Sequence, residues 1–288
     1  MSAEDELARL ERQVLGVRRI SSFSEKVAEL RRMLAREDPA IRSYVLKLTA
    51  PKIGRDLVAA VESAWGIGIA DAVNMLDSDE PLGVRGRTAP AAFVNLAVAA
   101  ERIIAQHMAD ARILARAGAD PDAVLAKVFA ADNTLKREVA SVINRAGNAG
   151  VTAVADAAGV PTVWIAEVNA CVTCLAYSGR VADPGRDFPG GLTYGATSTV
   201  AAPIPHPPAH PSCRCNVEPL GDQSYADALR READRSVLRG FSLESEPMSV
   251  RIKAAEKLLA EGVEAPKSVK AYAAAAVRRG EFTTRGRP

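Results

Sequence analysis

Five side chains between positions 171 and 215 have the types and spacing to hold a metal. Cys171-Val172-Thr173-Cys174 is a C-x-x-C pair, and the run Pro207-Pro208-Ala209-His210-Pro211-Ser212-Cys213-Arg214-Cys215 adds His210, Cys213 and Cys215. A C-x-x-C on a tight turn presents two thiolates to one ion while the intervening amides bond to sulfur. Zinc takes four ligands, so Cys171, Cys174, His210, Cys213 and Cys215 form a set with one candidate too many. Two other chemistries fit the same residues. The four Cys could form two disulfides that staple a segment with little core of its own. They could also remain buried thiols that act as small hydrophobes. Zinc is the cofactor expectation and disulfides are its alternative.

The catalytic arrangements built from these residue types are missing. A zinc deaminase needs H-x-E ahead of P-C-x-x-C, but the residues two beyond His107, His206 and His210 are Ala109, Pro208 and Ser212. H-E-x-x-H, a P-loop and a dinucleotide fingerprint are absent. A redox C-x-x-C opens a helix, and Leu175-Ala176-Tyr177-Ser178-Gly179 is not expected to continue as one. No catalytic residue and no enzyme activity are expected.

The elements around the cluster follow from periodicity and breakers. Leu7, Leu10, Val14, Leu15 and Val17 recur at helical spacing. Ser24 is placed to cap a second helix ending near Pro39. A third helix spans Arg55 to Leu76, with a break expected near Trp65, a core residue. Pro81, Gly83 and Gly86 mark a loop. The clearest helix starts at Thr88 and Pro90, turns Phe93, Leu96, Ala100, Ile103, His107, Ala111 and Leu114 to one face, and stops at Gly118. On that face His107 reads as a core or interface histidine. Asp120-Pro121 starts a short helix, and Asn133 to Ala158 forms a longer one broken at Gly147 and Gly150. Thr162 to Val168 is β-like. Gly and Pro from Gly179 to Pro211 exclude continuous helix. Helices return over Tyr225–Leu238, Val250–Leu259 and Val269–Arg279. The fold class is α+β, mainly α, in three parts: a helical assembly region over 1–120, a Cys/His-bearing domain over 121–220, and a helical basic tail over 221–288.

Composition narrows the class. The 288 residues are 48% hydrophobic, 25% charged and 5% aromatic, so a core of small aliphatic side chains in closely packed helices is expected. A formal charge of +2 creates no global field demanding nucleic acid. Lys267, Lys270, Arg278, Arg279, Arg285 and Arg287 against Glu281 give a local basic end, read either as a solvated tail or as a contact for DNA or an acidic protein surface. The charged start has no apolar leader segment, and no stretch is apolar enough for a membrane span, so a soluble protein made in a cytosol is expected.

The run P-P-x-H-P-x-C-R-C, preceded by C-x-x-C and a Gly-Arg-Val turn, resembles the C-terminal signature of Mu F-like phage head morphogenesis proteins. The residues that carry it are Cys171, Cys174, Gly179, Val181, Pro207, Pro208, His210, Pro211, Cys213, Arg214 and Cys215, and Arg145 and Trp164 match the layout upstream. The resemblance covers roughly Leu125 to Pro219. It departs at Asn169 and Ala170, where the family has an acidic residue and Thr, at Ser178 in place of Asp, and in the long Ala182–His206 insert. It implies a virion minor head protein, present in few copies near the portal. Its partners would be portal and major capsid or scaffold proteins, with packaged DNA a further candidate and no membrane. The alternatives are a zinc-dependent nucleic-acid-binding protein, and an enzyme or toxin fused to a phage-type head domain. Arg214, between two Cys, is expected to bond to turn carbonyls or to stack on Trp164.

Overall fold

A computed structural model describes residues 2–77, 84, 88–167, 169–198, 200–242 and 246–283. Pro81, Gly83, Gly86, Val168, Arg285 and Arg287 lie outside them. The fold is α+β, mainly α: ten helices and one three-stranded sheet among the described residues. The chain forms two compact units, one from residues 1–67 and 87–147, the other from 68–86 and 148–288. These units divide at 67/68, 86/87 and 147/148, the first and last of them inside the long helices Gly54–Met75 and Pro121–Ala158, and not at the expected 120/121 and 220/221.

The first unit is helical. α1 (Ala3–Gly16) begins with a capping box in which the Ser2 hydroxyl accepts from Asp5 N while the Asp5 carboxylate accepts from Ser2 N. α2 (Arg18–Ala35) follows almost at once. Ser24 therefore lies inside a helix and caps nothing; its hydroxyl donates to the buried Asp132 at 2.8 Å. α3 (Ile41–Lys47) and α4 (Gly54–Met75) come next, and α4 passes through Trp65, Gly66 and Gly68 without the expected break. Trp65 is buried, as expected. α5 (Ala91–Arg116) buries Phe93, Ala97, Ala100, Ile104, Met108, Ala111 and Ala115. The expected face is thus turned by about one residue. Small side chains line the contact, Leu96 and Ile103 are exposed, and His107 is half-buried beside the fully buried Met108.

α6 (Pro121–Ala158) is one helix of 38 residues where two were expected. Gly147 does not break it. A Cβ there would meet Leu7 Cδ1 at 2.9 Å, so this glycine makes room for α1. Polar side chains close the helix ends. Glu101 accepts from Ile53 N and Gly54 N at the start of α4, and Arg42 donates to the Gly118 and Ala119 carbonyls after α5.

In the second unit β1 (Thr162–Ile165) is central, pairing antiparallel with β2 (Val181–Ala182) and β3 (Asn216–Pro219). Trp164 is fully buried, 4.8 Å from the Tyr177 ring and edge-on to Phe188 at 5.3 Å. A short helix, α7 (Val172–Tyr177), follows Cys171. α8 (Gln223–Arg239), α9 (Met248–Glu261) and α10 (Lys267–Arg279) complete the unit.

Val172, Leu175, Ala176 and Tyr194 pack in one core with Val237, Leu238, Ala254, Leu258, Val269 and Ala273. The C-terminal helices are therefore no separate tail: α10 buries Val269, Ala273 and Ala276 and leaves Lys267, Arg278 and Arg279 exposed. The Pro/Gly-rich loop joins the same body. Tyr194 Oη donates to the buried Asp234 at 2.6 Å, and Tyr177 Oη to the Pro189 carbonyl at 2.7 Å. No helix among the described residues is long and apolar enough to cross a membrane.

Candidate metal centre

The local fold presents the first Cys pair at a helix start. Cys171 is the N-cap of α7, and its sulfur accepts from Cys174 N at 3.4 Å. The C-x-x-C therefore does open a helix, contrary to expectation, but one of six residues. It ends where Gly179, at φ +70°, passes under α8 so closely that a Cβ would lie 2.3 Å from the Ala226 carbonyl oxygen. A Glu246 carboxylate oxygen accepts from Val172 N at 3.1 Å and holds this start from outside the helix.

The second arm, His210 to Cys215, leads into β3. The Pro207–Pro208 peptide bond before it is cis. His210 Nε2 lies 3.0 Å from Cys171 Sγ and 3.2 Å from Cys174 Sγ, and Cys174 Sγ lies 3.5 Å from Cys213 Sγ. Two donor triads, Cys171–Cys174–His210 and Cys174–Cys213–Cys215, each have all their donor atoms within 4.8 Å of one another and share Cys174. The structure thus gathers all five residues picked out by spacing. The disulfide alternative is not met, since all four Cys are free thiols.

The cluster could hold a metal ion. A tetrahedral zinc with bonds of about 2.3 Å to sulfur and about 2.0 Å to nitrogen holds its donors roughly 3.5–3.8 Å apart; the Cys174–Cys213 distance matches this, and the two contacts of His210 are shorter. His210 Nδ1 lies 2.9 Å from the Pro211 carbonyl oxygen, to which an Nδ1–H donates, leaving Nε2 to face the sulfurs. Backbone groups of Cys215 and Ala209 help to lower Cys213, and that of Glu167 acts to lower Cys215.

Charge inside the metal-free cluster is arranged in pairs. Hydrogen bonding from Cys174, then from His210, holds the Cys171 thiol down to about 4. Bonds from Cys174 and Cys215 bring Cys213 to about 3. Cys174 is pushed far up by its three sulfur neighbours. For Cys215, lowering by Cys174 is outweighed by Cys213 and burial, and the net direction is up. His210 is raised to about 9, chiefly by Cys171. The cluster opens on a cavity of about 320 Å³, also lined by Glu167, Asn169, Ser212 and Arg214. Arg214 is exposed on that wall, and Trp164 stacks on Tyr177 and Phe188 instead.

Two neighbours escaped the sequence reading. One is Glu246. The other is Asn148 on α6, buried at 3% exposure, whose carboxamide bonds to Cys215 O at 3.3 Å and to Val217 N at 2.8 Å. An Asn amid Ala146, Gly147, Ala149 and Gly150 was the available signal: a lone amide on a small-residue helix face must find partners if buried. Compared with protein-family models, curated proteins and solved structures, the chain matches none.

Proposed function

We propose that this chain is a minor head protein of a phage particle, acting in head assembly near the portal, in which a structural zinc centre stiffens the second unit. The observation that carries the reading is the cluster itself. The P-P-x-H-P-x-C-R-C run and the C-x-x-C, the two halves of the resemblance to Mu F-like proteins, meet side by side through His210 and Cys174. Cys171, Cys174, Cys213 and either His210 or Cys215 would hold the ion. The role is structural rather than catalytic, because five protein donors fill the four positions of zinc and leave none for a substrate.

A crosslink of this kind gives a docking protein a fixed shape where a Pro/Gly-rich segment has few apolar side chains to bury. The contacts in this reading are with portal and major capsid or scaffold proteins. Exposed Lys267, Arg278 and Arg279 on α10 offer a salt-sensitive contact to packaged DNA or an acidic surface. The test is the composition of purified particles by mass spectrometry. A few copies per head are expected. Consistent absence from both procapsids and mature particles would overturn the reading, and a zinc-dependent nucleic-acid-binding protein would take its place.

A further inference from the structure

We propose that Asn148 is a positioning residue of the metal centre, fixing the backbone that carries Cys213 and Cys215 and thereby setting metal affinity. The proposal rests on the zinc reading above. β3 is an edge strand, since the sheet order is β2-β1-β3. Trp164 spends both its backbone groups on the β2 side: its N–H goes to Arg180 O and its carbonyl accepts from Gly179 N. Val217 faces Trp164 across the β1–β3 ladder. That pair is therefore the non-hydrogen-bonded kind, and Val217 N–H and Cys215 C=O both point away from the sheet.

Taking Asn148 away removes a bond from each of these two buried groups, at a cost of about 1–3 kcal/mol apiece. Asn148 meets them both. Its Oδ1 accepts from Val217 N and its Nδ2 donates to Cys215 O, as a neighbouring strand's peptide group would. The carboxamide thus stands in for a missing strand at the point where β3 begins. Cys215 is one of the residues it grips, and Cys213 is two positions upstream. Freeing the backbone at Cys215 would let both sulfurs leave their places opposite Cys174.

Asn148→Ala in the full chain tests this, with zinc affinity read by chelator competition and thiolate geometry by the cobalt(II) absorption spectrum. The expected result is zinc binding weakened about 10–100-fold, the range found for groups that orient metal ligands, with an altered cobalt spectrum. A purely structural asparagine would lower metal-free and zinc-loaded stability equally and leave zinc affinity and spectrum unchanged; that outcome overturns the proposal. If the variant does not fold, hydrogen exchange at the Val217 amide of the wild-type chain decides. Coupling is reciprocal, so removing zinc must lower protection of this N–H at least about tenfold. Equal protection with and without zinc overturns the proposal. A wild-type chain that takes up no zinc removes the zinc reading itself, which is a distinguishable failure.

Discussion

Cys174 Sγ lies 3.2 Å from His210 Nε2, and Cys174 is the sulfur common to both donor triads. Its loss therefore damages both halves of the centre. Cys174→Ser is expected to abolish stoichiometric zinc binding, whereas either His210→Ala or Cys215→Ser should retain it, because these two are alternatives for the fourth position beside Cys171, Cys174 and Cys213. Metal analysis of the three variants after dialysis checks this. A Cys174→Ser chain that keeps wild-type zinc affinity would contradict it.

Gly179 is required by its surroundings as well as by its φ of +70°, since a Cβ would lie 2.3 Å from Ala226 O and 2.8 Å from Arg230 N. The left-handed conformation alone costs an L-residue about 1–2 kcal/mol, and the backbone of α8 cannot yield as a side-chain tip would. Gly179→Ala is expected to destabilise the chain by more than about 2 kcal/mol. An unchanged urea midpoint would show that α8 moves aside freely.

Metal removal should be felt beyond the cluster. Leu175 and Ala176 of α7 share their core with Val237 of α8 and Ala273 of α10. Stripping zinc is therefore expected to speed amide exchange in α7, α8 and α10 together, and to expose residues 182–206 to proteolysis. Faster exchange confined to the loop would mean that the helices hold α7 without the metal.

The metal-free chain should also have a distinct pH response. The Cys171 sulfur, above all, raises His210 to about 9, against about 6.5 in an unfolded chain. A raised folded-state value means that the stability His210 contributes is fully present below about pH 6.5 and is lost as pH rises through about 9. Zinc replaces that proton, so the loaded chain should not show this loss. Urea denaturation of both forms across the interval tests it. The lowered Cys171 and Cys213 thiols act in the opposite sense over the same interval, so the His210 part is read as a difference: metal-free His210→Ala should gain stability more steeply than wild type between about pH 6.5 and about 9, and parallel curves would contradict the assignment.

Much of this was legible in residue types. The five donors, the α+β class, the first strand near Trp164 and the three closing helices follow from spacing and breakers. What sequence missed turned on long-range contacts. Gly147 reads as a helix breaker until Leu7 is seen to occupy the space of its missing side chain. Ser24 reads as a cap until Asp132, from a distant part of the chain, claims its hydroxyl. The face of α5 was misjudged because large aliphatics were assumed to point inward, whereas Ala97, Ala100 and Ala111 make the close contact. Asn148 stands out only as one amide on a small-residue helix face, and the partners that give it meaning, Cys215 O and Val217 N, lie far along the chain.

In the proposed centre, Cys171, Cys174, Cys213 and a fourth ligand from His210 or Cys215 would enclose one structural zinc. Elemental analysis of the full chain, purified without added metal and again after refolding with zinc, decides whether they do. About one zinc per chain is expected in both preparations, with loss of the metal accompanied by loosening of the core around α7. A chain that holds no zinc in either preparation, yet keeps Leu175 and Val237 fully protected from exchange, would contradict the account.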